Sequence, residues 1–284
     1  MRILLVSKGD ARSYKTWSGV PRIILNRLLD DGHDVKLLNL FEDFRFHLIG
    51  AFWNVTHDFR KREFETTGIG GWLMARAVRK AAKDCDKVIA LTYALDAKRI
   101  PLPVELMHDW TQGYFWKRYD DVERRMIERM RHAERVSCFY PESARYLQRH
   151  GLNVDYIGLP VEVPKWVMQC TDRGGADSQV GRYVVFASPW HKDNLEEALK
   201  YLGGKAFHLD VIGAEGDNSE HITYHGYLDK DNEAEANKYW NILANADCLL
   251  ALGRTWPGGS SIAEAKACGC KIVTRDWPDL KDIV

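Results

Sequence analysis

The feature that most constrains this chain is an alternation. Compact aliphatic runs recur along it, separated by longer stretches with helical spacing. "RILLVS" begins at residue 2 and is apolar almost throughout, as a strand buried on both faces of a parallel sheet must be. After a polar loop at 8–19 comes "VPRIILNRLLDDGHDVKLLNL". Ile23, Ile24 and Leu28 fall at helical spacing, Gly32 stops the helix, and "DVKLLNL" starts a second strand. Strand, helix and strand in this order make a parallel crossover unit. The pattern continues. "GWLMARAVRKAAKDCDKVIALTY" predicts a helix and then a strand at 88–91, and "LPVELMHDW" a strand ending at His108. "YDDVERRMIERMRHAERVSCFY" predicts a helix leading into a strand at 136–139. "PESARYLQRHG", with Pro141 in its first turn and Gly151 as its stop, reads as a helix, and "VDYIGLP" as one more strand.

After Pro164 the texture breaks. The segment 165–181 is polar, glycine-bearing and unpatterned, which suits a linker. Then the alternation restarts: "YVVFAS", "NLEEALKYLG", "AFHLDVIG", "ITYHG", "EAEANKYWNILANA", "DCLLALG", "SSIAEAKACG", "CKIVTRD". The expectation is an α/β chain of two Rossmann-like, doubly wound domains, 1–164 and 182–284, each with its own parallel sheet. With 45% hydrophobic and 28% charged residues over 284 positions, each half can build its own core. Ligands of such sheets bind beyond the carboxyl ends of the strands, and two domains of this kind are expected to face one cleft.

Forty basic residues balance forty acidic ones, so the composition does not announce a nucleic-acid coat. The six cysteines, Cys85, Cys138, Cys170, Cys248, Cys268 and Cys270, show no metal-ligand spacing and read as reduced thiols of a cytoplasmic protein. "MRILLVSKGD" is too short in its apolar run for a signal peptide, and no run approaches the ~20 apolar residues a bilayer crossing needs.

The barest loop lies near the end, in "TWPGGSSIAEAKACGCKIVT". It connects the strand "DCLLALG" to the helix "SSIAEAKACG". Amides at a helix N-terminus, with Gly258 and Gly259 leaving room, form a cradle for phosphate, and Ser260 and Ser261 cap the helix or donate to the same anion. Glu264 sits one turn inside. It either complements the helix dipole or accepts hydrogen bonds from a pair of ribose hydroxyls.

This segment resembles the C-terminal signature of the GT-B glycosyltransferases, in particular family 4. Glu264, Ala265, Ala267, Cys268 and Gly269 stand in register with its Glu-Ala-(x)-Ala-Cys-Gly, and "RDWPDLKDIV" is similar to the family's next turn and short helix. The likeness spans most of the chain and is faint between residues 40 and 85. It implies a nucleotide-diphosphate sugar as donor, bound by the second domain, with the acceptor on the first. In the family an earlier Glu grips the donor sugar. Here Trp256 falls at that position, and it offers a stacking face instead. Arg254 is placed to reach an anion.

The resemblance extends to other strand ends. Lys192, beside His191 in "YVVFASPWHKDN", matches the basic residue near the donor diphosphate, where a positive charge stabilises the leaving group. The family's arginine a few residues earlier has no counterpart, since Ala187 and Ser188 occupy that region. "TWSGVPR" is similar to the Gly-Gly-(x)-(x)-Arg element, with Ser18 in place of one glycine. Gly19 would admit the donor phosphates, and Arg22 is either the matching arginine or a surface helix residue. Trp17 would line the acceptor side. His108, followed by Asp109 and Trp110, matches a histidine near the anomeric centre. "GAEGDN" at 213–218 and "HGYL" at 225–228 are similar to the turns near the nucleotide base.

The expectation is therefore a hexosyl-transferring glycosyltransferase, retaining and metal-independent, with no cofactor beyond its donor substrate. Two other classes stay open. One is a nucleotide-sugar epimerase or binding protein on the same scaffold. The other is a DNA-modifying glycosyltransferase of the kind viruses use, which the compact length and the basic and aromatic stretch "HDFRKREFE" at 57–65 permit and the neutral net charge does not favour; otherwise that stretch is an exposed helix face.

Overall fold

The computed structural model describes residues 1–56, 64–115, 117, 120–169, 180–188, 192–254, 259–277 and 280. The chain divides into two compact units, Met1–Gly158 and Leu159–Val284.

In the first unit the elements run β1 (Arg2–Ser7), α1 (Val20–Asp30), β2 (Asp34–Asn39), α2 (Phe44–Thr56), α3 (Gly68–Ala81), β3 (Lys87–Ala90), β4 (Val104–His108), α4 (Gln112–Phe115), α5 (Asp121–Met130), β5 (Arg135–Cys138), α6 (Pro141–Arg149) and β6 (Val154–Tyr156). The six strands form one sheet in the order β2-β1-β3-β4-β5-β6, and every pairing is parallel. The order reverses between β1 and β3, which is where sheets of this kind open a ligand crevice. Leu4, Leu5 and Val6 are fully enclosed, which accounts for the unbroken apolar run of β1. Leu106, Met126 and Val136 belong to the same core.

Local chemistry fixes the helix starts. Asp120 accepts hydrogen bonds from the N–H groups of Val122 and Glu123 at the start of α5, and Thr67 accepts from Gly70 N–H at the start of α3. Gly19 precedes α1 at φ 84°, and a Cβ there would lie 2.4 Å from the Tyr14 ring, so this turn admits only glycine.

The second unit contains α7 (Lys165–Gln169), β7 (Gly181–Phe186), α8 (Lys192–Leu202), β8 (Phe207–Ile212), β9 (Ile222–Tyr224), α9 (Glu233–Asn245), β10 (Cys248–Ala251), α10 (Gly259–Ala267) and β11 (Lys271–Thr274). Its sheet, β11-β10-β7-β8-β9, is again parallel throughout. The two Rossmann-like sheets expected from the alternation are both present. Of the segment 165–181 expected as a linker, 170–179 lies outside the described residues, and α7 at its start buries Val167 and packs against α9. Cys85, Cys138, Cys248, Cys268 and Cys270 are buried and form no disulfide. No described helix is long and apolar enough to cross a membrane.

Candidate active site

In the first unit a cavity of about 400 Å³ opens at the carboxyl ends of β1, β3 and β4. His108, the last residue of β4, forms part of its wall and is only 1% exposed. Its Nε2 lies 3.6 Å from the Cys138 thiol on the neighbouring strand. Its Nδ1 has no hydrogen-bond partner. Burial lowers the His108 pKa to about 4, so the ring is neutral at pH 7 and offers one donor and one acceptor.

Asp109 lines the same cavity. Burial raises its carboxyl to about 6, against hydrogen bonds from the Trp110 N–H and the Trp17 side chain that favour the anion. Aromatic rings complete the wall. Trp110 stacks between Phe115 and Tyr140, with centroids 5.2 and 5.3 Å away, and Tyr93 meets His108 edge-on at 6.0 Å. Trp17 packs edge-on against Phe139 at 5.5 Å and is held at φ 44°, ahead of Ser18 at φ 54°. Two successive non-glycine residues in the left-handed region are a local strain that aims Trp17 at the cavity. Behind the wall, the buried Glu123 accepts from Thr111 and from Gly113 N–H, anchoring α4.

Gly19, which precedes α1, and Arg22, in the first turn of α1, are not on the cavity wall. The Arg22 guanidinium stacks over the Tyr14 ring at 4.3 Å and donates to the Arg12 carbonyl. It holds the 10–16 loop.

In the second unit the loops after β8 and β9 meet, and the β9 loop reaches helix α10. Gly213 N–H donates to the Gly226 carbonyl at 2.7 Å, which joins the "GAEGDN" and "HGYL" turns into one corner. Gly213 sits at φ 97°, and a Cβ there would lie 2.5 Å from the Ala187 carbonyl oxygen. Four residues past Gly226, Lys230 donates to Glu264 Oε1 at 2.6 Å, while the Tyr239 hydroxyl donates to Oε2 at 2.5 Å. Glu264 is 4% exposed. Burial, and then the Glu264 charge, hold the Tyr239 hydroxyl well above the usual phenol range.

The helix expected from Ser260 begins one residue earlier: Gly259, Ser260 and Ser261 form the first turn of α10, and Gly259 is buried. Lys192 opens α8. Arg254 is exposed; its guanidinium pairs with Glu197 at 3.4 Å, and its N–H donates to Asp193. Trp256, Gly258 and His191, along with 57–63, lie outside the described residues. Among the described residues no group of three or more His, Cys, Asp or Glu is arranged to hold a metal ion.

Sequence reading missed three residues. Lys230 and Tyr239 partner Glu264. Asn194, 2% exposed, donates to the Phe186 and Leu250 carbonyls and accepts from the N–H groups of Leu252 and Gly253. It latches the ends of β7 and β10 together below the turn into α10.

No protein-family model and no curated protein sequence matches the chain. Solved structures do. HepE of Anabaena, in complex with UDP-glucose, is similar over 100% of this chain and 83% of its own, at 15% identity and a TM-score of 0.58. Sucrose-phosphate synthase of Thermosynechococcus elongatus covers 99% of this chain and 83% of its own, at 12% identity and a TM-score of 0.66. The chain has the GT-B fold. That fold does not by itself decide the reaction. UDP-N-acetylglucosamine 2-epimerase of Rickettsia bellii is similar over 99% of this chain and 80% of its own, at 13% identity and a TM-score of 0.53.

Proposed function

We propose that the chain is a glycosyltransferase that moves a sugar from a nucleoside-diphosphate sugar to an acceptor hydroxyl. The observation that carries this reading is His108: a neutral imidazole, enclosed, with Nδ1 unpartnered, at the carboxyl end of a central strand and in the wall of an aromatic cavity. A buried ring nitrogen without a partner is a standing cost, and a sugar hydroxyl satisfies it. Rings such as Trp110 and Tyr93 offer the flat apolar faces that a pyranose stacks on.

In this reading the first unit binds the acceptor and the second the donor. Lys192 and the turn at 258–261 hold the diphosphate, Glu264 the ribose, and Trp256 a face of the sugar. The bond between the acceptor oxygen and the anomeric carbon forms as the anomeric carbon–phosphate oxygen bond breaks. The acceptor proton leaves on the departing diphosphate, and the anomeric configuration is retained. The α10 N-terminus and Lys192 supply positive potential, so activity survives chelator. A hexose donor, membership of family 4 and a cytoplasmic setting belong to the same proposal.

The test is a donor panel of UDP-, GDP- and ADP-sugars read in two ways: protein melting temperature, and the fate of labelled sugar. Label transferred to a glycoside acceptor, and abolished by His108→Gln, supports transfer. Label recovered as an isomerised nucleotide sugar with no new glycoside shows an epimerase instead. A panel with no melting shift and no turnover overturns the nucleotide-sugar reading.

A further inference from the structure

His108 and Cys138 are paired across two strands. β4 and β5 run parallel in a register that sets these residues side by side, so both side chains leave the sheet on the same face. The Cys138 thiol is fully enclosed and lies 3.6 Å from His108 Nε2. Behind it stands Ser143, in the first turn of α6. The Ser143 hydroxyl is fully enclosed too, and it donates to the Cys138 sulfur at 4.0 Å. Three side chains from β4, β5 and α6 thus form one buried row that ends on the cavity wall at His108.

A cysteine beside a histidine can be a nucleophile with its base. This pair is not built for that. Cys138 does not line the cavity, and burial pushes its thiol up to about 12, against the Ser143 hydrogen bond. Burial holds His108 down at about 4. Neither group ionises at pH 7, so the contact between sulfur and Nε2 holds one hydrogen, in one of two orders. In the first order the S–H donates to Nε2. The sulfur then accepts from Ser143, and the ring proton sits on Nδ1. In the second order the Nε2–H donates to the sulfur. A weak acceptor then takes two hydrogens, and the S–H itself meets no acceptor among the described residues. The first order satisfies every hydrogen from Ser143 to the ring and uses the imidazole nitrogen, the best acceptor in the row.

We propose that Cys138, oriented by Ser143, is a positioning residue that fixes His108 as its Nδ1–H tautomer, so that the ring meets a ligand as a hydrogen-bond donor and not as a base. The tautomer stands on the geometry of the row. Its consequence rests on the transfer reading given above: with no lone pair on Nδ1, His108 orients a sugar oxygen and does not take the acceptor proton, which leaves on the diphosphate.

The experiment is a long-range proton–nitrogen correlation spectrum of the isotopically labelled full chain at pH 7 without substrate, the His108 ring being assigned by its loss in His108→Gln. A bare Nε2 and a protonated Nδ1 are the expected result. Cys138→Ala should move the proton to Nε2 in most molecules, whereas Cys138→Ser, whose hydroxyl donates as the thiol does, should keep it on Nδ1. Ser143→Ala is the gentler variant and should move the proton part of the way; circular dichroism melting checks that each is folded. A protonated Nε2 in the wild type overturns the proposal, as does an Nδ1–H tautomer that both alanine variants leave unchanged. In a transfer assay Cys138→Ala should lower kcat about tenfold with the donor KM little changed, and Cys138→Ser should recover most of the loss. A donor panel without turnover removes the transfer reading and leaves the tautomer, which the substrate-free spectrum decides by itself.

Discussion

Lys230 and Glu264 meet at 2.6 Å, with their side chains 12% and 6% exposed. The pair joins the loop after β9 to the first turns of α10, across 34 residues of sequence. With the Tyr239 hydroxyl on the other oxygen, each carboxylate oxygen has one protein donor. Each can accept one more bond. Glu264 therefore holds the loop in place and still has capacity for a pair of ligand hydroxyls.

Glu264→Gln should show both roles. It removes the negative charge from beside the enclosed Lys230 ammonium, and breaking a buried pair in this way costs about 3–5 kcal/mol. It also removes charge-assisted acceptors worth about 1.5–3 kcal/mol to a ligand, so nucleotide affinity should fall about tenfold or more. Adding Lys230→Met should restore much of the melting temperature and none of the affinity. Calorimetry on the double variant decides: wild-type affinity would leave Glu264 a structural residue alone.

The parts that could be read ahead of the structure are those where neighbours in sequence decide the outcome. β1 was legible because burial on both faces demands an unbroken apolar run, and Leu4, Leu5 and Val6 meet that demand. Helix α2 was not, since a helix apolar on all sides has no period to detect. Glu264 was legible as a position, one turn inside a glycine-led helix. Its partners were not, because they arrive from 25 and 34 residues away. Arg22 shows the limit most plainly. It was readable either as the family's arginine or as a surface helix residue, and the contacts it makes, with the Tyr14 ring and the Arg12 carbonyl, carry no signature in the sequence.

Asn194→Ala should loosen the second unit at the turn that leads to α10. The change removes the acceptor for two N–H groups, those of Leu252 and Gly253, and a buried donor left unsatisfied costs about 1–3 kcal/mol. A loss of about 2–5 kcal/mol in chemical denaturation follows, with faster amide exchange confined to 252–254 and the ends of β7 and β10. Exchange unchanged at Leu252 and Gly253 would show that the latch is dispensable.

Gly213→Ala tests the corner between the loops after β8 and β9. The substituted residue would need φ 97° and would bring its Cβ within 2.5 Å of the Ala187 carbonyl oxygen. Backbone, not a flexible side chain, must move. The expected cost is about 2 kcal/mol or more, with weakened nucleotide binding. A melting curve identical to wild type would refute the strain.

His108 and Asp109 are neighbours whose titrations act on stability with opposite signs. His108 falls to about 4 in the folded protein, against roughly 6.5 in an unfolded chain. Between these values the unfolded state binds more protons, so the histidine makes stability rise with pH, and its contribution is complete above the unfolded pKa. Asp109 rises to about 6, against roughly 3.9 unfolded. There the folded state binds more protons, so the aspartate makes stability fall as pH climbs through the same window. Each shift of about two units corresponds to on the order of 3 kcal/mol, less for Asp109 because it is only partly enclosed. In the wild type the two slopes largely cancel between pH 4 and pH 6. Single variants should uncover them. Asp109→Asn should gain stability steadily as pH rises through that window and exceed wild type at pH 7. His108→Gln should lose stability over the same range. Denaturation midpoints taken across the window distinguish the cases: if both variants run parallel to wild type, neither group has the shifted pKa that its enclosure in the cavity wall implies.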